Sequence, residues 1–299
     1  MDDVSSREGK GHIVLSQAGD TSSQVLSTLS FQYPLKLISP RLPGQPCTSV
    51  FMMSYGGGLV GGDEIDLSVV VERDTKLCLL TQGSTKIFKQ RKIADRPTST
   101  TSQTLRVKIE NGALLALLPD PIQPFADSIY NQYQSFELHP DSSLLLLDWV
   151  NSGRPARGEN WTLASYRSRN DILVASGQGV PSRLLLRDTL ILNNAIANSM
   201  YPHECFATVI LRGPLLREFS DSVIAKFQSE DRVRRQSTVR ATSAKKKATW
   251  TAGIVREGCC IVKIAGETGE IVKEFLSELL VVNEMESLLG REALRSVIL

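Results

Sequence analysis

The chain has 299 residues, 41% of them hydrophobic and 22% charged, with a formal net charge of +2. This length permits one large domain or two ordinary ones, with enough apolar residue for a real core. The near-neutral balance gives no global drive toward nucleic acid or an acidic membrane, so neither is expected as a partner.

The start, Met1-Asp2-Asp3, lacks the apolar stretch of a signal peptide. Apolar runs such as Leu144 to Leu147 and Leu184 to Leu186 fall far short of the ~20 residues that span a bilayer. A soluble, cytoplasmic protein is expected. The cysteines Cys47, Cys78, Cys205, Cys259 and Cys260 are odd in number and form no framework, which fits a reducing compartment and buried thiols.

In chain order, residues 1–12 read as a disordered N-terminus and 13–299 as a single domain. Leu26, Phe31, Leu35 and Leu37 are strand material, and a strand over 47–55 runs into Ser54-Tyr55-Gly56-Gly57-Gly58-Leu59-Val60-Gly61-Gly62-Asp63. Gly56, Gly58 and Gly61 match the dinucleotide spacing G-x-G-x-x-G. That fingerprint must open a helix whose N-terminus holds a pyrophosphate. Here Ile65, Leu67, Val69 and Val71 follow with period two, which is a strand. No Gly-Lys-Ser/Thr follows, so a P-loop is excluded as well. The glycines Gly56, Gly57, Gly58, Gly61 and Gly62 read instead as a tight backbone crossing between strands that brings Asp63 beside a polar interior.

Further strands are expected over 76–81, 98–109, 113–118 and 130–138, with Asn111-Gly112 as a turn signal. Residues 118–127 hold three prolines and form a rigid loop. Residues 144–150 are almost continuously apolar, a strand buried on both faces. Residues 161–167 and 171–175 are expected to pair as a hairpin, and so are 249–255 and 259–265. Two segments carry helical period. One starts at Pro214, with Leu216, Phe219, Val223 and Phe227 on one face; the other spans 269–280. Many short strands in packed sheets with two late amphipathic helices make one mainly β domain. No repeat of fixed period is visible. Residues 231–248 carry seven basic residues against Asp231 and read as a flexible basic loop. No aromatic interleaves them, which argues against single-stranded nucleic acid.

Catalytic constellations are scarce. The three histidines, His12, His139 and His203, sit with no nucleophile in reach by sequence, and no Gly-x-Ser-x-Gly elbow occurs. His203-Glu204-Cys205 has metal-ligand types, but no second cluster completes a site. Acids beside glycine, proline or strand ends stand out: Asp63, Asp120, Asp127, Asp148, Glu159 and Asp188. Singly they read as ion-paired groups; together they could line a polar conduit for a cation.

Five ordered motifs then combine. They are the glycine run to Asp63; Leu80-Thr81-Gln82-Gly83-Ser84-Thr85-Lys86; Leu118-Pro119-Asp120-Pro121 with Pro124-Phe125-Ala126; Leu147-Asp148-Trp149 with Ser152-Gly153-Arg154, Gly158-Glu159 and Trp161; and Arg187-Asp188 with Leu190. Over about residues 25 to 280 the chain resembles the UreD (UreH) urease accessory family. The resemblance implies a non-catalytic chaperone of urease maturation. It implies apo-urease, a UreF-type protein and the UreG-type GTPase as partners. It also implies nickel(II) as a transient cargo, with no cofactor tightly bound and no stable metal site. By that resemblance Asp63, Ser84, Thr85, Asp148 and Glu159 would lie along an internal nickel path, where transient oxygen ligands let an ion move on. The late helices would offer docking faces for UreF. The rival readings are a purely structural scaffold carrying no ion, and an enzyme using Asp63 or Asp148 as general base.

Overall fold

The computed structural model describes residues 8–19, 23–40, 44–90, 100–177, 179–236, 248–281 and 285–298. The chain builds two large sheets by alternating between them. Glu64–Val71, Thr101–Ile109, Ile129–Leu138 and Ser165–Val174 lie side by side and parallel in a seven-stranded sheet. Lys76–Leu80, Leu114–Leu118 and Ser143–Asn151 lie parallel in an eleven-stranded sheet. Glu64–Val71, Thr101–Ile109 and Ile129–Leu138 each pass to a strand of the second sheet through a four-residue turn, at 72–75, 110–113 and 139–142.

Those turns stack. Thr75, Ala113 and Ser142 each donate a backbone hydrogen bond to the carbonyl three residues back. Between layers, Glu110 N–H donates to the Val71 carbonyl and His139 N–H to the Ile109 carbonyl, each at 2.9 Å. On the way back, the short strands Gly58–Leu59, Thr85–Ile87 and Ile122–Pro124 also pair in parallel. The molecule is therefore a short coil of β layers. Antiparallel strands complete it: Gln24–Phe31 and Arg183–Asn193 on the first sheet, Cys205–Arg212, Cys260–Gly266 and Thr249–Ile254 on the second.

Alternation decides what each face meets. Leu144, Leu146 and Val150 point into the space between the sheets, while Leu145, Leu147 and Trp149 point the other way, under the helices. Both faces of this strand are thus covered, as its unbroken apolar run requires. Helices Arg217–Gln236 and Gly269–Val281 bury Phe219, Val223, Val272 and Leu276 on that outer face. Trp250 seals the layer against Phe227 and Phe275, with ring centroids 5.2 and 5.1 Å away.

Several expectations change. Strand Glu8–Gln17 begins inside the stretch assigned to disorder, and it pairs in parallel with Glu64–Val71. Its glycines are there for close approach: a Cβ on Gly11 would stand 2.5 Å from Leu35 Cδ2. Residues 1–7 lie outside the described residues. Residues 161–167 and 171–175 do not pair with each other. Ser165–Val174 is one strand, and its hairpin partner is Arg183–Asn193. Of the basic stretch 231–248, residues 231–236 continue the helix Arg217–Gln236, and 237–247 lie outside the described residues. Two further helices, Met285–Leu289 and Arg291–Ile298, follow the expected pair. The apolar faces of the late helices are spent on the sheet, so they are not free docking faces.

The glycine run forms a crossing. Gly56 and Gly57 take positive φ, while Gly58 is extended and pairs with Lys86. A Cβ on Gly58 would meet the Lys86 carbonyl oxygen at 2.6 Å, whereas one on Gly56 would meet nothing within 4 Å. Gly58→Ala must therefore move backbone and is expected to cost about 1–3 kcal/mol. Gly56→Ala pays only for its left-handed φ, about 1 kcal/mol. Urea midpoints for the two variants check the order; equal midpoints would contradict the close approach.

Candidate functional site

The inter-sheet space is largely apolar and carries three rows of opposed polar residues. Across the larger sheet Asp148 stands opposite Thr208, Thr208 opposite Lys263, and Lys263 opposite Thr251. Opposed residues share a face. Across the smaller sheet Gln103, Gln132 and Ser168 form one row, and Gln134, Asn170 and Asp188 contribute to the next. The rows of the two sheets face each other.

Asp148 is the centre. It is 9% exposed, and a carboxylate there must be hydrogen-bonded. Its donors come from the opposite sheet: Gln132 Nε2 at 3.1 Å to Oδ1, with Ser168 Oγ at 2.6 Å and Asn170 Nδ2 at 2.7 Å to Oδ2. Tyr130 Oη donates to Gln132 Oε1 at 3.2 Å, which fixes that amide with its nitrogen toward the acid. Burial pushes the Asp148 carboxyl above its ordinary range. The donors from Ser168, Asn170 and Gln132 pull it back, the charge of Asp188 adds to the rise, and the balance is upward. Burial, with the Asp148 charge, also pushes the Tyr130 and Tyr166 phenols up, so both stay neutral. Asn170 Oδ1 is buried without a hydrogen-bond partner among the described residues.

Two cavities meet at this acid. One, of about 50 Å³, is lined by Thr81, Thr85, Gln103, Asp120, Gln132, Gln134 and Asp148 among apolar residues. The other, of about 280 Å³, is lined by Asp148, Tyr166, Thr189, Thr208, Trp250 and Lys263. At its edge Lys263 Nζ donates to Asp188 Oδ1 at 2.5 Å and to Thr208 Oγ1 at 2.9 Å. At the far side of the smaller cavity Asp120 Oδ2 accepts from Thr81 Oγ1 at 3.1 Å and from Gly83 N–H at 2.8 Å.

Of the residues singled out by sequence, the structure brings Thr85 and Asp148 to one cavity. Ser84 precedes Thr85 and lines neither. Asp63 is buried, but its Oδ2 accepts from Val60 N–H at 2.9 Å, so it closes the glycine loop; its Oδ1 has no partner among the described residues. Glu159 lies outside both cavities. Arg154 grips it, with Nε 2.8 Å from Oε2, and lowers its pKa; Ala126 N–H adds a bond at 3.3 Å. The same guanidinium lies 3.9 Å over the Phe125 ring, so the proline loop and the central block are locked together. The His203-Glu204-Cys205 cluster disperses. Cys205 is buried under the helices, Glu204 Oε1 accepts from Asn160 Nδ2 at 3.1 Å, and His203 offers its carbonyl to Trp161. Among the described residues no group of three or more His, Cys, Asp or Glu is placed to hold a metal ion.

Gln103, Gln132, Gln134, Ser168, Asn170 and Lys263 escaped the sequence reading. A signal existed. In Ile129–Leu138 the inward parity runs Tyr130, Gln132, Gln134, Phe136, Leu138, two amides within an apolar series. Ser165–Val174 repeats it with Tyr166, Ser168, Asn170, Ile172.

The raised Asp148 pKa has a sign in stability. The folded chain holds this proton more tightly than the unfolded chain, whose carboxyl titrates near its ordinary 3.8. The contribution is fully present below that value and is lost as pH rises through the folded one. As pH rises above that value the native protein should lose denaturation midpoint relative to Asp148→Asn, measured side by side. Parallel pH profiles would contradict the shift.

The profile of the UreD urease accessory protein family matches residues 8–298. A Schizosaccharomyces pombe protein named uncharacterized urease accessory protein ureD-like is 37% identical over 273 residues, covering 89% of this chain and 91% of its own length. Urease accessory protein 4 of Cryptococcus neoformans is 38% identical, covering 70% of this chain and 71% of its own. Urease accessory protein D of Arabidopsis thaliana is 31% identical, with 94% of this chain and 98% of its own length covered. With its glycine loop, proline loop and central block all in place in one fold, this chain belongs to the UreD urease accessory protein family.

Proposed function

We propose that this protein acts in urease maturation as an assembly scaffold that also conducts nickel(II) through its interior. Membership of the family places it in urease maturation. In the proposed reading apo-urease, a UreF-type protein and a UreG-type GTPase are its partners, in the cytoplasm. Among the described residues no helix is long and apolar enough to cross a membrane. The observation that carries the conduit is Asp148: one buried acid bordering two cavities, set where facing polar rows of both sheets meet.

The chemistry suits passage. Amide and hydroxyl oxygens bind a borderline divalent ion weakly, and the carboxylate supplies charge at one point only. Three donors already hold Asp148, so an ion must compete for it and is not stored there. A general-base role for Asp63 or Asp148 has less behind it. Asp63 is engaged by Val60 N–H, and the hydroxyl on Asp148 belongs to Ser168, itself 1% exposed. The relatives, too, are named accessory proteins.

The path as proposed therefore centres on Thr85 and Asp148 with Gln132, Ser168 and Asn170. Asp63 and Glu159 shape its surroundings, through the glycine loop and the Arg154 contact. Asp148→Asn keeps the side chain's shape and removes its charge. With the urease subunits and accessory proteins co-expressed, this variant should lower nickel loaded into urease by about 10–100-fold. Copurification of the complex should be unchanged. If urease loads normally with both Asp148→Asn and Asp148→Ala, the protein is a scaffold carrying no ion through Asp148.

A further inference from the structure

Lys263 is a cation fixed at the edge of the larger cavity, beside the acid on which the conduit turns. It belongs to the larger sheet, and its partner Asp188 belongs to the smaller one, so the pair spans the gap between sheets. Its second bond, to Thr208, keeps it in the row that starts at Asp148. The Lys263 side chain is 43% exposed and that of Asp188 14%. Lys263 thus stands toward the solvent end of the row, next to the exposed Thr251, and Asp148 at the buried end.

We infer that Lys263 is a charge gate for the proposed conduit, a positioning residue that stands in for the passing cation. While its ammonium rests on Asp188 and Thr208, their oxygens are taken, and a divalent cation approaching Asp148 from this side meets a like charge. When it swings out, two oxygen sites beside Asp148 open at once. The latch is weak enough to release, because a half-exposed lysine ion pair adds little net stability and its long stem moves freely. A buried, tightly packed pair would block the mouth; an uncharged residue would leave the acids open to hold the ion.

The inference rests on the conduit reading, and the experiment separates the two. Lys263→Met keeps the stem and removes the charge. Titrated with nickel(II) alone, the full-length variant should bind at least about tenfold more tightly than the native chain. Adding Asp148→Asn should abolish that gain. Lys263→Arg should behave as the native chain. Lys263→Gln, which can still donate to Thr208, is read as Lys263→Met and stands in if that variant folds poorly. A purely structural tie between sheets would lower the denaturation midpoint and leave nickel affinity unmoved, which overturns the gate. A gain that persists with Asp148→Asn overturns it too, since the ion then binds without the acid. If Lys263→Met binds as the native chain while Asp148→Asn still stops urease loading, the gate is wrong and the conduit stands. If neither variant changes binding or loading, both are wrong.

Discussion

The stacked four-residue turns fix the register of everything else. Parallel strands have no hairpin to set their alignment, so something outside the ladder must do it. Here the turn backbones bond layer to layer, as from His139 N–H to the Ile109 carbonyl and from Ser143 N–H to the Ala113 carbonyl. A slip of one residue would turn every inward side chain outward. In Ile129–Leu138 it would replace Tyr130, Gln132, Gln134 and Phe136 by Asn131, Tyr133, Ser135 and Glu137, and Asp148 would face the core without donors. The polar rows are thus a consequence of turn geometry at one end of the coil.

Polar rows in an apolar interior are costly, and here the cost is met almost in full. Gln132 accepts from Tyr130 and donates to both Asp148 and Ser168; Ser168 in turn donates to Asp148. An aliphatic set of similar volume would avoid the penalty on Asp148 altogether. A core selected for stability alone has no reason to keep a carboxyl whose pKa is driven up by burial. Contrast Asp171 on the outer face of the same sheet. Burial would raise its pKa, but the guanidiniums of Arg169 and Arg187 outweigh that and bring it down to about 2. That acid is neutralised within the protein, whereas Asp148 has neutral donors and its charge faces two cavities.

Much of this was legible in the sequence. Period-two alternation located most strands, and the unbroken apolar run at 144–150 announced a strand covered on both faces by a second sheet and by helices. The period-two sequel to the glycine run is the strand Glu64–Val71. The coil itself was hidden. Its layers share one turn length, but the return legs at 81–100, 119–128 and 152–164 differ, so no fixed period survives. Ser165–Val174 is one strand where a hairpin of 161–167 with 171–175 is expected, because the polar residues 168–170 interrupt the apolar pattern. In the fold Asn170 reaches inward to Asp148 while Asp171 reaches outward to two arginines. Glu159 had the surroundings expected of a conduit acid, and only the fold shows Arg154 closing on it.

The glycine run and the acid row answer the same geometric demand from opposite sides. A coil with an open interior needs a return leg that crosses tightly, and Gly58 permits one by lying against the Lys86 backbone. That crossing sets Leu59 into the wall of the smaller cavity, next to Thr85. Asp63 then ties the loop by accepting from Val60 N–H, and Thr101 Oγ1 binds the Val60 carbonyl at 3.0 Å. A side chain on Gly58 would push the return leg outward and widen or collapse the wall. The run therefore bears on the proposed conduit through shape. Charge enters only at the other end of the cavity, at Asp148, and again where Lys263 meets Asp188. A path whose walls are set by backbone and whose charge sits at two points can pass a cation without trapping it, because no position offers the several anionic ligands that a stable site needs.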